Sequence, residues 1–190
     1  MTSKVWKLGT VRNGEDVECC YPPSFARQVI GGVERLVIAP GPDPIAKLRE
    51  LLQLLPEPLW VLYVLVVPRG NGSESAAGRY QSATPHSRDE VLALLERFEE
   101  FLAGDGRHNI WLAAPPAGQL VYDRHGVIYA YGPIAEIAAR LKQQNFAEAE
   151  TIRVPVPHSH HYHSEFDSDE RAMLAHWEWL HSELQQQDDL

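Results

Sequence analysis

Cysteine is scarce in this sequence: its only two cysteines, Cys19 and Cys20, are adjacent. Neighbouring cysteines seldom bridge each other, because the disulfide would strain the peptide between them. No disulfide framework is therefore predicted, and two lone cysteines also fall short of a zinc-finger pattern. This cysteine usage predicts a protein of a reducing compartment, and we expect a cytoplasmic location.

Long apolar runs are also missing. The longest, Leu59–Val67, falls well short of the roughly 20 residues that a membrane-spanning helix needs. The first residues, Met1–Lys7, lack the apolar core of a secretory signal. The sequence therefore predicts no membrane association.

Positive charge is in deficit, with 17 lysines and arginines against 26 aspartates and glutamates, for a formal net charge of −9. A phosphate backbone requires a basic protein face, so the composition argues against nucleic acid as a partner. A basic protein partner is compatible with it, although acidity also simply keeps proteins in solution.

Recognised catalytic motifs are absent. The sequence has no Gly-x-Ser-x-Gly elbow, no metalloprotease pattern and no deaminase signature. The glycine-rich stretch Pro68–Gly78 lacks the lysine of a phosphate-binding loop. No spacing supports a thiolate pair of Cys19 or Cys20 with His125. No motif therefore predicts a reaction type.

Length and composition predict the fold class. The chain has 190 residues, of which 44% are hydrophobic and 23% charged, which suits one globular domain over residues 1–190 with a polar tail from about 186 to 190. The alternating patterns predict an α+β domain. Its sheet is expected to be mostly antiparallel or mixed, with about six to eight strands packed by four helices.

Several elements are predicted outside the central hairpin. Ser24–Ile30 is a short helix or a loop, and Leu59–Val67, apolar at every position, is the central strand with both faces covered. The other predicted strands are Lys4–Val11, Val17–Tyr21, Val33–Ala39, Arg79–Thr84 and, at an edge, Thr151–Val156. Helices are predicted to start at Asp43-Pro44, at the Ser87–Glu90 capping box, at Gly132-Pro133 and at about Ser168, the last running to Gln186.

The segment Arg107–Gly132 organises the rest of the chain. Three consecutive antiparallel strands are predicted in it: Asn109–Ala114, Leu120–Arg124 and Val127–Tyr131. A two-residue turn at His125-Gly126 would pair Tyr122 with Tyr129. It would also gather the tyrosines and Arg124 on one face of the sheet, either as an exposed platform or beneath a helix.

Polar side chains gather at one end of these strands. The predicted ligand-binding set at this end is Arg107, His108, Asn109, Asp123, Arg124 and His125. Arginine forks suit carboxylates and phosphates, so one hypothesis is a small anionic ligand. The alternative is that these residues are polar only because strand ends and turns face water.

A histidine tract precedes the last predicted helix: His158, His160, His161 and His163. In an extended segment, the first two project to one side and the last two to the other. Each pair can chelate a divalent metal such as zinc, and Glu165 or Asp167 can add a carboxylate. The alternative is a structural loop whose histidines hydrogen-bond to the backbone.

Three functions remain open from the sequence. The first is a non-catalytic domain that binds another protein, motivated by the acidity and the lack of catalytic motifs. The second is a small metal-dependent enzyme, a hydrolase, whose site joins the histidine tract to Asp123 and His125. It requires that both segments meet at one end of the sheet. The third is the anion-binding domain.

Overall fold

Twelve strands and five helices form within residues 5–69 and 75–188, which are the residues that the computed structural model describes. The α+β class is confirmed. Lys4, the centre of the predicted glycine-rich loop at 70–74 and the tail end at 189–190 lie outside the described residues. No described helix has the length and apolar character needed to cross a bilayer.

The strands belong to two sheets. In chain order they are β1 (Leu8–Arg12), β2 (Glu15–Glu18), β3 (Ser24–Ile30), β4 (Val33–Ala39), β5 (Trp60–Leu65), β6 (Gly78–Ser82), β7 (His108–Ala114), β8 (Gly118–Tyr122), β9 (Ile128–Tyr131), β10 (Ala147–Glu148), β11 (His158–His160) and β12 (Trp179–Ser182). The larger sheet has the order β10-β3-β4-β9-β8-β7-β5-β6-β12, and the smaller has the order β11-β1-β2. Only β10 and β3 pair in parallel among these strands.

Four strands were not predicted, namely β3, β10, β11 and β12, so the sheets contain more strands than expected. The prediction of a helix or loop at Ser24–Ile30 is wrong, because this segment pairs with β4 along its whole length. The turn between β3 and β4 is Gly31-Gly32, with φ of 57° and 82°. Glycine accepts these positive angles without strain, so the chain can reverse in two residues.

The helices all contribute to one apolar core against the larger sheet. They are α1 (Pro44–Leu52), α2 (Arg88–Arg97), α3 (Glu99–Gly104), α4 (Ile134–Gln143) and α5 (Asp167–Leu174). Leu48, Leu94 and Ile137 come from the helices and meet Leu36 and Leu112 of the sheet in that core. The predicted capping box at Ser87 and Glu90 is confirmed at the start of α2.

The prediction that Leu59–Val67 is the central strand is wrong. β5 lies third from one edge, and β8 occupies the centre. In β5, Val61 and Tyr63 are fully buried under the helices, whereas Trp60 and Leu62 on the opposite face are only half-buried. The continuous apolar pattern therefore overstates the burial of this strand.

The C-terminal predictions are also wrong in part. Residues 151–156 form no strand, and the last helix ends at Leu174 rather than Gln186. The chain then turns back as β12, which pairs with the edge strand β6. Trp177 fixes this return by stacking on His86, with ring centres 3.7 Å apart.

The smaller sheet brings the histidine tract beside the N-terminal hairpin. Asn13-Gly14, a sequence typical of tight hairpin turns, forms the turn between β1 and β2, with positive φ at both residues. On the other side of β1, β11 places His160 opposite Leu8 and His158 opposite Thr10. Lys7, which directly precedes β1, connects this sheet to the end of the larger sheet at which β8 turns into β9. Its Nζ donates to the carbonyl of Asp123 over 3.3 Å.

Candidate metal centre

The turn between β8 and β9 differs from the predicted two-residue hairpin. Tyr122 pairs with Ile128, so the predicted Tyr122–Tyr129 pair is wrong by one residue. The physical reason is Asp123, whose Oδ1 accepts hydrogen bonds from the backbone amides of His125 (3.0 Å) and Val127 (2.9 Å). This side chain closes a longer turn, as aspartate often does.

The shifted register divides the tyrosines between the two faces. Tyr122 is buried in the core, whereas Tyr129 and Tyr131 lie half-buried on the opposite face. There the guanidinium of Arg35, not Arg124, lies 4.3 Å from the Tyr129 ring centre and donates to the Tyr131 hydroxyl. Arg124 instead points toward the histidine tract, where its Nε donates to Nε2 of His160 over 3.2 Å.

Asp123 also orients the imidazole of His125. The His125 Nδ1 lies 3.0 Å from Oδ2 of this fully buried carboxylate. Because the carboxylate only accepts, Nδ1 carries a proton, and in the neutral tautomer Nε2 has the lone pair that a metal would use. Carboxylate–histidine pairs of this kind hold metal-binding imidazoles in place.

His158 and His160 project to the same side of β11, as the period of a strand predicts. The Nδ1 of His158 donates to the carbonyl of Pro155 over 2.9 Å, which leaves its Nε2 as the acceptor. His160 Nδ1 is buried and has no hydrogen-bond partner among the described residues.

His125, His158 and His160 form a cluster that could hold a metal ion. One nitrogen from each ring lies within 4.8 Å of the others. The ring centres are 5.3, 5.0 and 5.3 Å apart, and the rings are steeply inclined at 83°, 59° and 85°. Zinc–nitrogen distances of about 2.0–2.1 Å place the centres of coordinating rings about 5.2 Å apart. The ring spacing is compatible with three ligands of one ion, which would draw the three nitrogens, now within 4.8 Å of one another, to about 3.3 Å apart.

His160 is held neutral in this cluster. Burial first, and then the positive charge of Arg124, lower its pKa to about 3. Imidazole binds metal only in its neutral form, so this environment removes proton competition for the ligand nitrogen.

The other two histidines of the tract take separate partners. His161 Nε2 lies 2.9 Å from Asp16 Oδ2 and 3.3 Å from Ser159 Oγ. A catalytic triad needs different ring nitrogens for the serine and the carboxylate, so this group does not form one. His163 Nε2 donates to the Trp6 carbonyl over 3.0 Å. The predicted second pair thus lies outside the cluster, and Asp167 pairs with Arg69.

Arg107 and His108, from the predicted ligand set, lie inside the protein. Arg107 is 1% exposed, with its Nε 2.9 Å from Asp105 and its Nη1 2.6 Å from Glu170. His108 is fully buried, and desolvation holds its pKa well below the usual value.

Asn109, a β7 residue of that set, hydrogen-bonds to Arg124 and to the C-terminal segment. Its Oδ1 accepts from the Arg124 amide over 2.8 Å, and its Nδ2 donates to the Asp188 carbonyl over 2.9 Å. The structure thus brings Asn109, Asp123, Arg124 and His125 together at one sheet end, beside the histidine tract. The geometric requirement of the metal hypothesis, that the two segments meet, is met.

A cavity of about 210 Å³ lies beside the cluster, and His125 is part of its wall. Other residues of its wall include Lys7, Glu18, Cys19, Tyr21 and Tyr122. Burial lowers the pKa of Lys7 to about 7. The cavity is smaller than the roughly 300–1,000 Å³ of drug-sized sites, so it suits a small ligand. Sequence reasoning missed Lys7, because no local pattern connects it to the histidines.

Comparisons of the chain with protein-family models, curated proteins and solved structures return no match.

Proposed function

We propose that the protein is a cytoplasmic metalloprotein that binds one divalent transition metal ion, zinc foremost, through His125, His158 and His160. The carrying observation is that one nitrogen of each ring lies within 4.8 Å of the other two, with the ring centres 5.3, 5.0 and 5.3 Å apart. The buried carboxylate of Asp123 behind His125 supports the proposal, because it supplies the outer partner that metal-binding histidines usually have.

We further propose that the site is catalytic and that the protein is a small hydrolase. Structural zinc sites use four protein ligands, whereas catalytic sites use three and keep one position open. No fourth histidine, cysteine, aspartate or glutamate joins the cluster within residues 5–69 and 75–188. A zinc ion here would supply Lewis-acid chemistry. Lys7 in the cavity wall would be poised to exchange a proton, since its pKa lies near neutrality.

The test of metal binding is the metal content of untagged protein purified without added metal or chelator. We expect close to one zinc, iron, nickel or copper ion per chain by plasma mass spectrometry. His158→Ala should lose the ion, because two imidazoles bind far more weakly than three. His161→Ala is the matched control and should retain it, since His161 bonds to Asp16 instead. An empty wild-type protein that also fails to take up these metals would refute the proposal.

The hydrolase proposal is tested on the zinc-loaded protein with para-nitrophenyl acetate and para-nitrophenyl phosphate. We expect hydrolysis of one of them that chelation abolishes and added zinc restores, with no activity in His158→Ala. Stoichiometric zinc without metal-dependent hydrolysis would support the metal-binding proposal and refute the hydrolase proposal.

Binding of another protein is the second candidate. An exposed apolar turn favours it: Val29, Ile30 and Val33 at the β3–β4 turn are 68%, 56% and 55% exposed. The net charge of −9 favours a basic partner. We expect a basic protein to copurify with the wild type and to be lost from Val29→Ser/Val33→Ser, but not from the control Val11→Ser. A wild type that purifies alone as a monomer would remove this candidate.

A further inference from the structure

The C-terminal segment places one carboxylate inside the protein. Residues 180–187 are all exposed, whereas Asp188 is only 1% exposed, with its Oδ1 2.5 Å from Nη1 of Arg79. We propose that Asp188 occupies a carboxylate site formed by Arg79 and Asn109, and that this occupation holds the β8–β9 turn in the shape that the metal centre needs. The coupling to the metal centre rests on the proposed function.

The carboxylate site is built across three neighbouring strands. Val64 of β5 pairs with Arg79 of β6 on one side and with Asn109 of β7 on the other. Directly paired residues share a face of the sheet, so these three side chains form one row. Val64 and Asn109 are fully buried, and the Arg79 side chain is 16% exposed. Asp188 closes this row, because its carboxylate meets Arg79 and its carbonyl accepts from Asn109 Nδ2 over 2.9 Å.

The chain around Asp188 presents the carboxylate to this site. Its Oδ2 accepts from the Gln185 amide over 2.6 Å, and the Gln185 carbonyl accepts from the Asp188 amide over 2.9 Å. This tight turn fixes the direction of the side chain. Hydrogen bonds between a guanidinium and a carboxylate are stronger than neutral ones, and burial shields this pair from solvent screening. The exposed segment before Asp188 is therefore held at its end by a single charged group.

Asn109 connects the carboxylate site to the candidate metal centre. Its Nδ2 donates to the Asp188 carbonyl, and its Oδ1 accepts from the Arg124 backbone amide over 2.8 Å. Only one orientation of the side-chain amide satisfies both bonds, so each bond fixes the other. The Arg124 amide lies between Asp123, which orients the imidazole, and the proposed ligand His125. Release of Asp188 would take away one of the two bonds and let the Asn109 amide rotate, which loosens the turn.

The experiment uses full-length Asp188→Ala, in which added formate can replace the lost carboxylate. Amide hydrogen exchange at Arg124, measured by NMR on metal-free protein, reports on the turn. We expect exchange about two- to tenfold faster than in the wild type, as for the loss of one hydrogen bond. Sodium formate should restore most of the protection, whereas sodium chloride at the same ionic strength should not. Glu183→Ala, an exposed acidic residue of the same segment, is the matched control and should exchange as the wild type.

A second variant, Asp188→Asn, keeps the size of the side chain and removes its charge. It should also speed exchange at Arg124, but formate should not rescue it, because the amide still fills the carboxylate site. Coupling to the metal centre is measured by titrating zinc into the same proteins. We expect Asp188→Ala to bind zinc about fivefold more weakly than the wild type, at the lower end of the usual coupling between sites.

The outcomes separate this inference from the proposed function. Unchanged exchange at Arg124 in Asp188→Ala, or equal rescue by chloride and formate, would overturn the carboxylate site. Faster exchange with unchanged zinc affinity would overturn the coupling alone. A wild type that binds no zinc would overturn the proposed function and the coupling, and the exchange measurement would still decide the carboxylate site.

Discussion

Replacing Arg107 by methionine is expected to lower the free energy of unfolding by about 3–5 kcal/mol. The guanidinium is buried between the carboxylates of Asp105 and Glu170, which are 0% and 4% exposed. Methionine fills similar volume but leaves two buried negative charges without their counterion. Uncompensated buried charges are among the most costly changes in a protein core. Urea unfolding at pH 7, followed by far-UV circular dichroism, measures the loss.

The double variant Arg107→Met/Glu170→Met distinguishes a lost charge partner from lost packing. It removes one of the stranded carboxylates, so it should recover part of the stability that Arg107→Met loses, as apolar replacements of buried ion networks often do. Arg153→Met is exposed and should stay within about 0.5 kcal/mol of the wild type. A loss below about 1 kcal/mol in Arg107→Met would contradict the structural role assigned to this network.

The parts of the fold that could be predicted from the sequence depend on local interactions. The Ser87–Glu90 capping box joins residues three apart, and the Asn13-Gly14 turn needs only the positive φ that both residues accept. Asn145, just after the end of α4, has φ of 63°, a left-handed conformation that asparagine accepts at helix ends. Each of these features depends on interactions among a few neighbouring residues, so it can be predicted from the sequence alone.

The failures depend on contacts between distant residues. The apolar spacing after Leu174 fits a helix, yet β12 forms because β6 offers an unpaired edge and His86 offers a stacking surface to Trp177. Ser24–Ile30 shows no clear alternation, and its pairing with β4 determines its structure. Tertiary pairing overrides local propensity most readily in strands.

In the candidate site, too, the sequence predicts what depends on local pattern and misses what depends on long-range pairing. The period of a strand predicts that His158 and His160 share a side, and the structure agrees. Their meeting with His125 depends on the pairing of β11 with β1, which joins residues about 150 positions apart in the chain. No local pattern reports that pairing. The sequence could therefore supply the candidate ligands but could not determine which of them converge.

Saturating zinc is expected to stabilise the protein strongly, because the three ligands connect the β8–β9 turn of the larger sheet to β11 of the smaller one. At a free zinc concentration about 1,000 times the dissociation constant, binding to the folded state alone adds about 4 kcal/mol. For a chain of this length, that corresponds to a rise in Tm of about 8–16 °C. Differential scanning calorimetry with zinc and then with excess EDTA measures the rise and its reversal.

Three variants determine whether this stabilisation comes from the proposed ligands. His125→Ala should abolish the zinc-dependent rise, and His161→Ala should keep it. Asp123→Asn should weaken zinc binding by about tenfold to a hundredfold, because the amide nitrogen repels the Nδ1 proton that the carboxylate holds. At fixed free zinc, that loss removes about 1.4–2.8 kcal/mol of the stabilisation. Equal zinc-dependent shifts in His125→Ala and His161→Ala would mean that zinc binds elsewhere and that the cluster is not the metal centre.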